Sequence, residues 1–413
     1  MNDMEQKKKM PQVRFKGYDD TWEQRKVSDI ATITAGGTPS TVEIEYWQPK
    51  EIPWLSSGEI HKKYVMETDN MISKKGLENS SAKWVEKGSV LIALAGQGKT
   101  RGTAAITRIR LTTNQSISAL KFGDNVYPDY AFQNLDSRYD ELRNVSSGDG
   151  TRGGLNKQLL SDLEMMIPEY EEQKKLGDYF SNLDTLITLH QRKYDKLIKM
   201  KRAMLEKMFP KNGSLYPEIR FEGFTDAWEQ RKLENISDVK DGTHDSPKYV
   251  QNGHPFITSK NVGDGFINYD DIQYVSDKDY DEINRRSKVD IHDILMGMIG
   301  TIGNLALIRE KPDFAIKNVA LIKYTGDIDY KFLYQILQSH CVTSQLLNSI
   351  DGGTQKFIAL NKIRGLDIPY PGEEEQRKIG LFFEQLDNLI TLHQRKLEKL
   401  KNIKKACLEK MFV

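Results

Sequence analysis

The stretch LDTLITLHQRK, from Leu183 to Lys193, returns almost unchanged as LDNLITLHQRK from Leu386 to Lys396. Ten of the eleven letters are identical, at a spacing of 203 residues. So close a match within one chain of 413 residues indicates an internal duplication, and a duplication decides which architectures are possible. The chain is therefore expected to contain two copies of one structural plan.

Both copies lie in long helical patterns. Apolar residues recur there in alternating steps of four and three, which is the heptad spacing of a coiled coil. The seam of the first copy is Leu176, Phe180, Leu183, Ile187, His190, Tyr194, Leu197, Lys201, Met204 and Met208. The seam of the second copy is Ile379, Phe383, Leu386, Ile390, His393, Leu397, Leu400, Lys404, Cys407 and Met411. A histidine and a lysine hold matching positions in both seams, and polar groups there set register and partner at a cost in stability. The pattern predicts two helices that pack on each other. The alternative is two surface helices that share an ancestry but do not contact each other.

A second repeated segment opens each half of the chain. VRFKGYDDTWEQRKVSDIA starts at Val13, and IRFEGFTDAWEQRKLENIS starts at Ile219. Between each opener and the next long helix, short β-type runs alternate with Gly, Pro, Ser and Asn, which is typical of strands and turns. Strands are predicted at 52–55, 89–94, 104–109 and 117–122, and in the second half at 255–258, 294–299, 304–308 and 319–324. One further helix is predicted in each half, at 129–142 and 330–347.

These patterns divide the chain into six segments. They are a tail expected to be disordered (1–12), a first module (13–168), a central helix (169–210), a connector (211–218), a second module (219–369) and a C-terminal helix (370–413). The predicted fold class is α+β. Two β-rich modules are separated by two long helices that pair as a coiled coil, with an internal pseudo-two-fold repeat.

Composition bounds the class of protein. Hydrophobic content of 38% and charged content of 29% are typical of a chain with real hydrophobic cores. No run of eighteen apolar residues predicts a membrane span, and the start MNDMEQKKKM lacks the apolar region of a secretory signal. Two cysteines are too few for a disulfide framework, so a cytoplasmic location is expected. Because the net charge is +1, any charge that binds nucleic acid has to be local.

Catalytic signatures are weak. Gly96-Gln97-Gly98-Lys99-Thr100 ends like a phosphate-binding loop, but Ala93 stands where the first glycine is needed and the following residues are β-type. The seven histidines form no metal-binding pair of the H-E-x-x-H type. We therefore expect neither ATP nor a metal on this chain.

Polar loops at matching places in the two halves are the better candidates for a binding site. Arg and Lys suit guanine edges, Asn and Gln suit adenine, Glu and Asp suit cytosine, and Ser and Thr suit phosphates. Taken singly, each loop is more often an ordinary solvated turn, but the set recurs twice and predicts DNA reading. The candidate residues in the first half are Thr38, Ser57, Glu59, Gln97, Lys99, Thr100, Arg101, Gln115 and Arg152. Those in the second half are Thr243, His244, Lys260, Asn261, Thr301, Asn304, Lys317 and Lys356.

Together these stretches resemble the specificity (S) subunit of a type I restriction–modification enzyme, over essentially the full length of the chain. The resemblance rests on the RF and WEQRK openers, the GGTPS and DGTH loops, and the WLSSGEI and FITSKN strands. It also rests on the helix starts EEQKKLG and EEQRKIG and on the LEKMF ends of both helices.

The resemblance implies that the two modules are target-recognition domains, each reading one half of a split, asymmetric sequence in double-stranded DNA. The helices would pair antiparallel and set the spacer between the half-sites. Two modification subunits, which carry S-adenosylmethionine and methylate adenine, would bind to the chain. Restriction subunits that use ATP and Mg²⁺ to translocate and cut would join them. The chain itself would be non-catalytic and would hold no cofactor.

Helix length supports the spacing role. A helix over 173–208 is about 54 Å long, or about one and a half turns of DNA. Four residues off the seam, Tyr179, Leu189, Phe382 and Leu392, are candidates for docking the modification subunits. Two rival hypotheses remain. A coiled-coil scaffold with protein-binding modules predicts binding that is insensitive to salt, whereas phosphate contacts make binding fall steeply with salt. A nuclease or methyltransferase in one chain predicts that the chain alone binds a metal or cofactor.

Overall fold

The computed structural model describes residues 10–96, 99–144, 154–211, 213–352 and 356–413. The chain folds as two compact units, and the boundaries between them fall within the two long helices. The first unit contains Met1–Gln191 and Arg395–Val413, and the second contains Arg192–Gln394. Each unit therefore consists of one module, part of the central helix (Tyr170–Lys207) and part of the C-terminal helix (Glu373–Met411). Most of the tail predicted over 1–12 lies outside the described residues.

The first unit contains eleven strands in the part of the chain that the structure describes. They are β1 (Glu23–Lys26), β2 (Ala31–Ala35), β3 (Ile52–Leu55), β4 (Tyr64–Val65), β5 (Asn70–Ile72), β6 (Trp84–Val85), β7 (Val90–Ala93), β8 (Ala104–Thr107), β9 (Leu111–Thr113), β10 (Ile117–Phe122) and β11 (Glu164–Ile167). Short helices span Val27–Ile30, Lys74–Glu78, Pro128–Ser137, Tyr139–Asn144 and Lys157–Asp162. The strands form a five-stranded sheet of order β2-β10-β7-β8-β4, a four-stranded sheet of order β5-β3-β9-β6, and the antiparallel pair β1-β11.

The second unit repeats this plan with nine strands among its described residues. They are β12 (Glu229–Lys232), β13 (Val239–Asp241), β14 (His254–Thr258), β15 (Gln273–Val275), β16 (Ile294–Gly297), β17 (Leu305–Leu307), β18 (Ala315–Lys317), β19 (Val319–Ile322) and β20 (Asp367–Tyr370). Helices span Asp277–Ser287, Tyr330–Ile336, His340–Asn348 and Leu360–Arg364. The sheets have the orders β13-β19-β16-β17 and β15-β14-β18, and β12 pairs antiparallel with β20.

The central sheet of each module is buried on both faces, which explains its uninterrupted apolar strands. In the first module, Val90 and Ile92 point towards the helices, while Leu91 and Ala93 point towards the core that includes Leu55. The second module alternates in the same way: Ile294 and Met296 lie in one core, and Leu295 lies in the other. Burial on two sides makes the sheet a rigid support for the loops at its edges.

The repeated openers attach each module to the start of a long helix. In the first unit, the Arg14 guanidinium makes two hydrogen bonds, of 2.7 and 2.8 Å, to the buried Glu172 carboxylate. The Trp22 indole N–H donates to the same carboxylate at 3.1 Å. In the second unit, Arg220 contacts Glu375 at 2.7 and 2.8 Å. The copied RF and EEQ segments are therefore two sides of one ion pair, which is the reason that both occur in each half.

The two long helices pack on each other, as the seam predicted, and they run antiparallel, as the resemblance implied. In the first unit, Tyr179 contacts Cys407 (oxygen to sulfur, 3.6 Å), and further along Asp184 contacts Lys404 at 2.7 and 2.8 Å. In the second unit, Lys201 contacts Asp387 at 2.7 Å. The seam lysines thus form matching ion pairs, one in each unit. The fold class predicted from the sequence is confirmed.

Both predicted module helices are broken in two. The helix expected over 129–142 ends at Ser137 and restarts at Tyr139, and the one expected over 330–347 ends at Ile336 and restarts at His340. The predicted spans were right, and neither break falls at a Pro or Gly. In the part of the chain that the structure describes, no helix is long and apolar enough to cross a membrane.

Candidate nucleic-acid interface

In the second module, the loop after β13 lies against the turn between β18 and β19. The amide N–H groups of Gly242 and Thr243 donate to the carbonyl oxygens of Val319 and Ile316, both at 3.0 Å. A Cβ on Gly242 would overlap the carbonyl oxygen of Ile316, so a side chain is excluded at this position. The close approach places His244 beside Asn318, with Nδ1 2.7 Å from the side-chain Oδ1.

The first module builds the same loop pair. The N–H groups of Gly36 and Gly37 donate to Ile117 and Thr113 at 3.2 and 2.8 Å. A Cβ on Gly36 would overlap the carbonyl oxygen of Asn114. This arrangement places Thr38 where its hydroxyl donates to the side-chain oxygen of Gln115, so the GGTPS loop and the Asn114-Gln115 turn, both candidate segments from the sequence, lie together.

The backbone contacts make these two loop pairs structurally equivalent. Thr38 with Gln115 in the first module corresponds to His244 with Asn318 in the second. Gln115 and His244 are exposed, and Thr38 is half-buried. The two modules therefore present different polar side chains on the same backbone geometry.

Further loops join the site in the second module through Ser259. Its hydroxyl donates to the carbonyl oxygen of Asn318 and accepts from the amide of Met298 at 3.0 Å. Its own carbonyl oxygen accepts from the hydroxyl of Thr301. Three loops that are distant in sequence are thus tied to one buried serine. In the first module, the amide of Leu94, directly after β7, donates to the carbonyl oxygen of Ser116 at 2.8 Å.

Glu59 is not available to read a base, which corrects the sequence prediction. It is 4% exposed, and its carboxylate accepts from the amides of Ser56 and Asp69 at 3.1 and 2.7 Å. Lys62 also donates to it at 3.1 Å. Burial alone would raise the pKa of Glu59, but these hydrogen bonds outweigh burial and hold the pKa below its ordinary value. The residue closes a capping box at the start of the turn Ser57–Lys62.

Asn261 has the same structural role in the second module and is also a correction. It is 2% exposed; its Oδ1 accepts from the amide and hydroxyl of Thr258, and its Nδ2 donates to Asn268. The WLSSGEI and FITSKN strands therefore both end in a capping box. Asn304 is likewise used internally, because its Nδ2 donates to the carbonyl of Val262 at 3.2 Å.

The remaining candidates differ in what they offer to a partner. Lys99, Lys260 and Lys356 are exposed, whereas Ser57 is half-buried. Thr100 lies against Gly96. Three others are engaged within the chain: Thr243 accepts from the amide of Asp245, the Lys317 ammonium donates to Ser246, and the half-buried Arg101 has partners of its own. Gln97 and Arg152 lie outside the described residues. The strand β8 follows the Gly96–Thr100 stretch, as the β-type sequence predicted.

Two residues near the second site were missed by sequence reasoning, namely Asp241 and Arg286. The Arg286 guanidinium donates to one oxygen of Asp241, and the other oxygen is 2.8 Å from Nε2 of His244. Asp241 and Arg286 are 45 residues apart, so no spacing in the sequence signals the pair. Among the described residues, no group of three His, Cys, Asp or Glu is placed to hold a metal ion.

The duplicated fold and the paired polar loops define a two-module protein built to present polar side chains to a ligand twice. Comparison with known proteins gives the family. The chain matches the family model "Type I restriction modification DNA specificity domain" over residues 19–199 and again over 225–402, and it therefore belongs to that family.

Individual relatives agree with this assignment. The Type I restriction enzyme MjaVIII specificity subunit of Methanocaldococcus jannaschii is 22% identical, over 93% of this chain and 90% of its own length. The MjaIX specificity subunit of the same organism is 24% identical, over 94% of this chain and 92% of its own length. The crystal structure of the type I restriction–modification S subunit from M. genitalium has a TM-score of 0.63 at 16% identity, covering 98% of this chain and 99% of that one. This last likeness concerns the fold.

Proposed function

We propose that this chain is the DNA specificity subunit of a type I restriction–modification complex, with each module reading one half of a bipartite, asymmetric target. The observation that carries the proposal is the pair of equivalent sites. Their backbone geometry is the same, but Thr38 with Gln115 in one becomes His244 with Asn318 in the other. Two sites with one geometry and different polar groups are what two different half-sites require.

The chemistry of these groups suits base edges. Amide side chains can pair with adenine through N6 and N7, and hydroxyl and basic groups suit either phosphates or purine edges. Rigid placement matters as much as residue type, because a reading group has to be held close to its working geometry. The glycine contacts supply that rigidity in both modules, and the Ser259 hydrogen bonds add to it in the second module.

We further propose that catalysis belongs to partner subunits. S-adenosylmethionine would be held by the modification subunits, and ATP with Mg²⁺ by the restriction subunits. This chain would contribute sequence reading and a docking surface, in the cytoplasm where the DNA is.

The docking surface proposed from the sequence needs revision. Tyr179 packs edge-on against Phe15 at 5.9 Å between ring centroids, and Phe382 packs against Phe221 at 6.1 Å. These two rings are therefore covered in part by the chain's own openers. Leucines at matching positions of the two helices remain about 45% exposed: Leu186 and Leu189, with Leu389 and Leu392. We propose that these four leucines form two equivalent docking patches for two modification subunits.

The test of function is to map methylated adenines in DNA from cells that carry this chain with its modification subunit. The expected result is a split motif that disappears when this chain is deleted. Unchanged methylation after deletion contradicts the proposal. A second readout is salt dependence: phosphate contacts make the logarithm of affinity fall linearly with the logarithm of salt concentration. Salt-insensitive binding would favour the scaffold hypothesis instead.

The docking patches have their own test. Leu186→Asp together with Leu389→Asp is expected to prevent co-purification of the modification subunit, because a charge replaces apolar area at the interface. Leu381→Asp is the matched control, since Leu381 is 46% exposed but its counterpart in the first helix is Asp178. Equal retention of the modification subunit by both variants contradicts the docking proposal.

A further inference from the structure

Asp241 is a buried carboxylate at the end of β13 whose two contacts are both exposed. It is 7% exposed, whereas the side chains of Arg286 and His244 are 66% and 62% exposed. One carboxylate oxygen accepts from Arg286, and the other lies 2.8 Å from His244. A buried anion holding two outward-facing groups positions them for something outside the chain.

Arg286 lies in the last turn of the helix Asp277–Ser287, close to the loop after β13. Its contact with Asp241 uses one of the five N–H groups that an arginine carries. Among the residues that the structure describes, no other hydrogen bond from this two-thirds exposed side chain is present, which leaves its other N–H groups for a partner. Because the guanidinium is already held in place, binding through it loses less side-chain freedom than binding through a mobile arginine.

The first module lacks this device. Ala35 precedes Gly36 as Asp241 precedes Gly242, and both residues end the first strand of the central sheet. With alanine at that position there is no carboxylate to hold an arginine. The change from Ala35 to Asp241 thus distinguishes two otherwise equivalent sites. Differences between the sites are what can give the two modules different sequence preferences.

We infer that Arg286, held by Asp241 beside His244 and Asn318, reads a guanine in the half-site of the second module. The inference rests on the proposed DNA-reading function and deepens it. Guanine presents O6 and N7 as adjacent acceptors in the major groove, and a planar guanidinium with two free N–H groups matches them. The positive charge of Arg286 also allows an aspartate to lie near a surface that faces phosphates.

The experiment uses the full-length chain assembled with its modification subunits. Duplexes are prepared in which each base pair of the two mapped half-sites is replaced in turn, and the rate of adenine methylation is measured on each. For the wild-type complex, replacing one G·C pair in the second half-site is expected to slow methylation by roughly 5- to 150-fold. In Arg286→Ala, this discrimination is expected to disappear at that pair alone, while preferences in the first half-site stay unchanged.

Arg285→Ala is the matched control, because it removes the same charge from the neighbouring exposed position and leaves the Asp241 contact in place. Two results overturn the inference while leaving the proposed function standing. One is that the Arg286→Ala and Arg285→Ala complexes discriminate equally at every base pair. The other is an equal loss of methylation on all duplexes, which is the behaviour of a phosphate contact. A wild-type complex without sequence preference in either half-site overturns both the inference and the proposed function.

Discussion

Replacing Lys404 by methionine removes one charge from a buried cluster in the first unit. The Lys404 ammonium lies 2.7 and 2.8 Å from the two oxygens of Asp184, with side chains 9% and 8% exposed. Lys63 and Asp136 complete the cluster, with a contact of 2.7 Å between them. Burial, together with the nearby Lys63, lowers the pKa of Lys404. For Asp184, burial would raise the pKa, but Lys404 and Lys63 outweigh burial and lower it. The cluster therefore contains two positive and two negative charges and is balanced.

The variant Lys404→Met leaves one negative charge uncompensated in a buried place. Breaking a buried ion pair by removing one partner costs about 3–5 kcal/mol. The repeat supplies the comparison, because Lys201 makes the equivalent pair with Asp387 in the second unit at side-chain exposures of 16% and 20%. Greater exposure to water reduces the penalty, so Lys201→Met is expected to cost about 1–2 kcal/mol, between the values for surface and buried pairs.

Removing both partners should recover most of the loss. In the double variant Lys404→Met with Asp184→Asn, the pair Lys63–Asp136 remains and the cluster is balanced again. Equilibrium unfolding in urea, followed by far-ultraviolet circular dichroism, gives the free energy of each variant and the coupling energy of the cycle. Equal costs for Lys404→Met and Lys201→Met would refute the reasoning, as would a double variant less stable than Lys404→Met alone.

Three further predictions concern the candidate site. Gly242→Ala should destabilise the second module by about 1–3 kcal/mol, because the added Cβ meets the Ile316 carbonyl oxygen and the loop has to move; thermal unfolding measures this, and an unchanged Tm contradicts it. Glu59 has a pKa below its ordinary value in the folded chain, so the stability that it contributes is present above about pH 4.3 and is lost as the pH falls through the folded pKa. Glu59→Gln should therefore flatten the decline of unfolding free energy in acid, and an unchanged pH profile would disprove that role. Asn261→Ala should cost about 1–2 kcal/mol of unfolding free energy through loss of its cap. Lys260→Ala should leave stability unchanged but weaken DNA binding, with a slope of log affinity against log salt concentration that is smaller by about 1. The reverse pattern would contradict the assignment.

Much of the fold could be predicted because its signals are local or repeated. The seam residues Phe180 and Phe383 are completely buried, as the heptad pattern required. Strands such as Ile52–Leu55 and Ile117–Phe122 have the predicted bounds, since short apolar runs between turn residues specify them. The breaks in the two module helices were not predicted, because no Pro or Gly marks them.

The candidate site was predictable in its loops but not in its side chains. Sequence reasoning found the GGTPS and DGTH loops and the turns at Asn114-Gln115 and Lys317-Asn318, and the structure shows that each loop lies against one of these turns. Both Glu59 and His244 were chosen because they are polar residues in a loop. The sequence does not show that the Glu59 carboxylate points inwards whereas the His244 ring is exposed. A capping box read from Ser56 and Glu59 at a spacing of three would have given a warning.

The amino-acid sequence by itself determined the duplication and the packing of two long helices, since repetition and heptad periodicity are read directly from the order of residues. Its repeated motifs also gave the resemblance to a DNA specificity family. Only the tertiary structure decided which polar groups face outwards and which meet across the chain. Thr38 with Gln115, His244 with Asn318, and Asp241 with Arg286 are brought together by strand order and glycine close approach. The physical reason is that a binding site depends on contacts between residues tens of positions apart, and these form once the central sheet is packed on both faces.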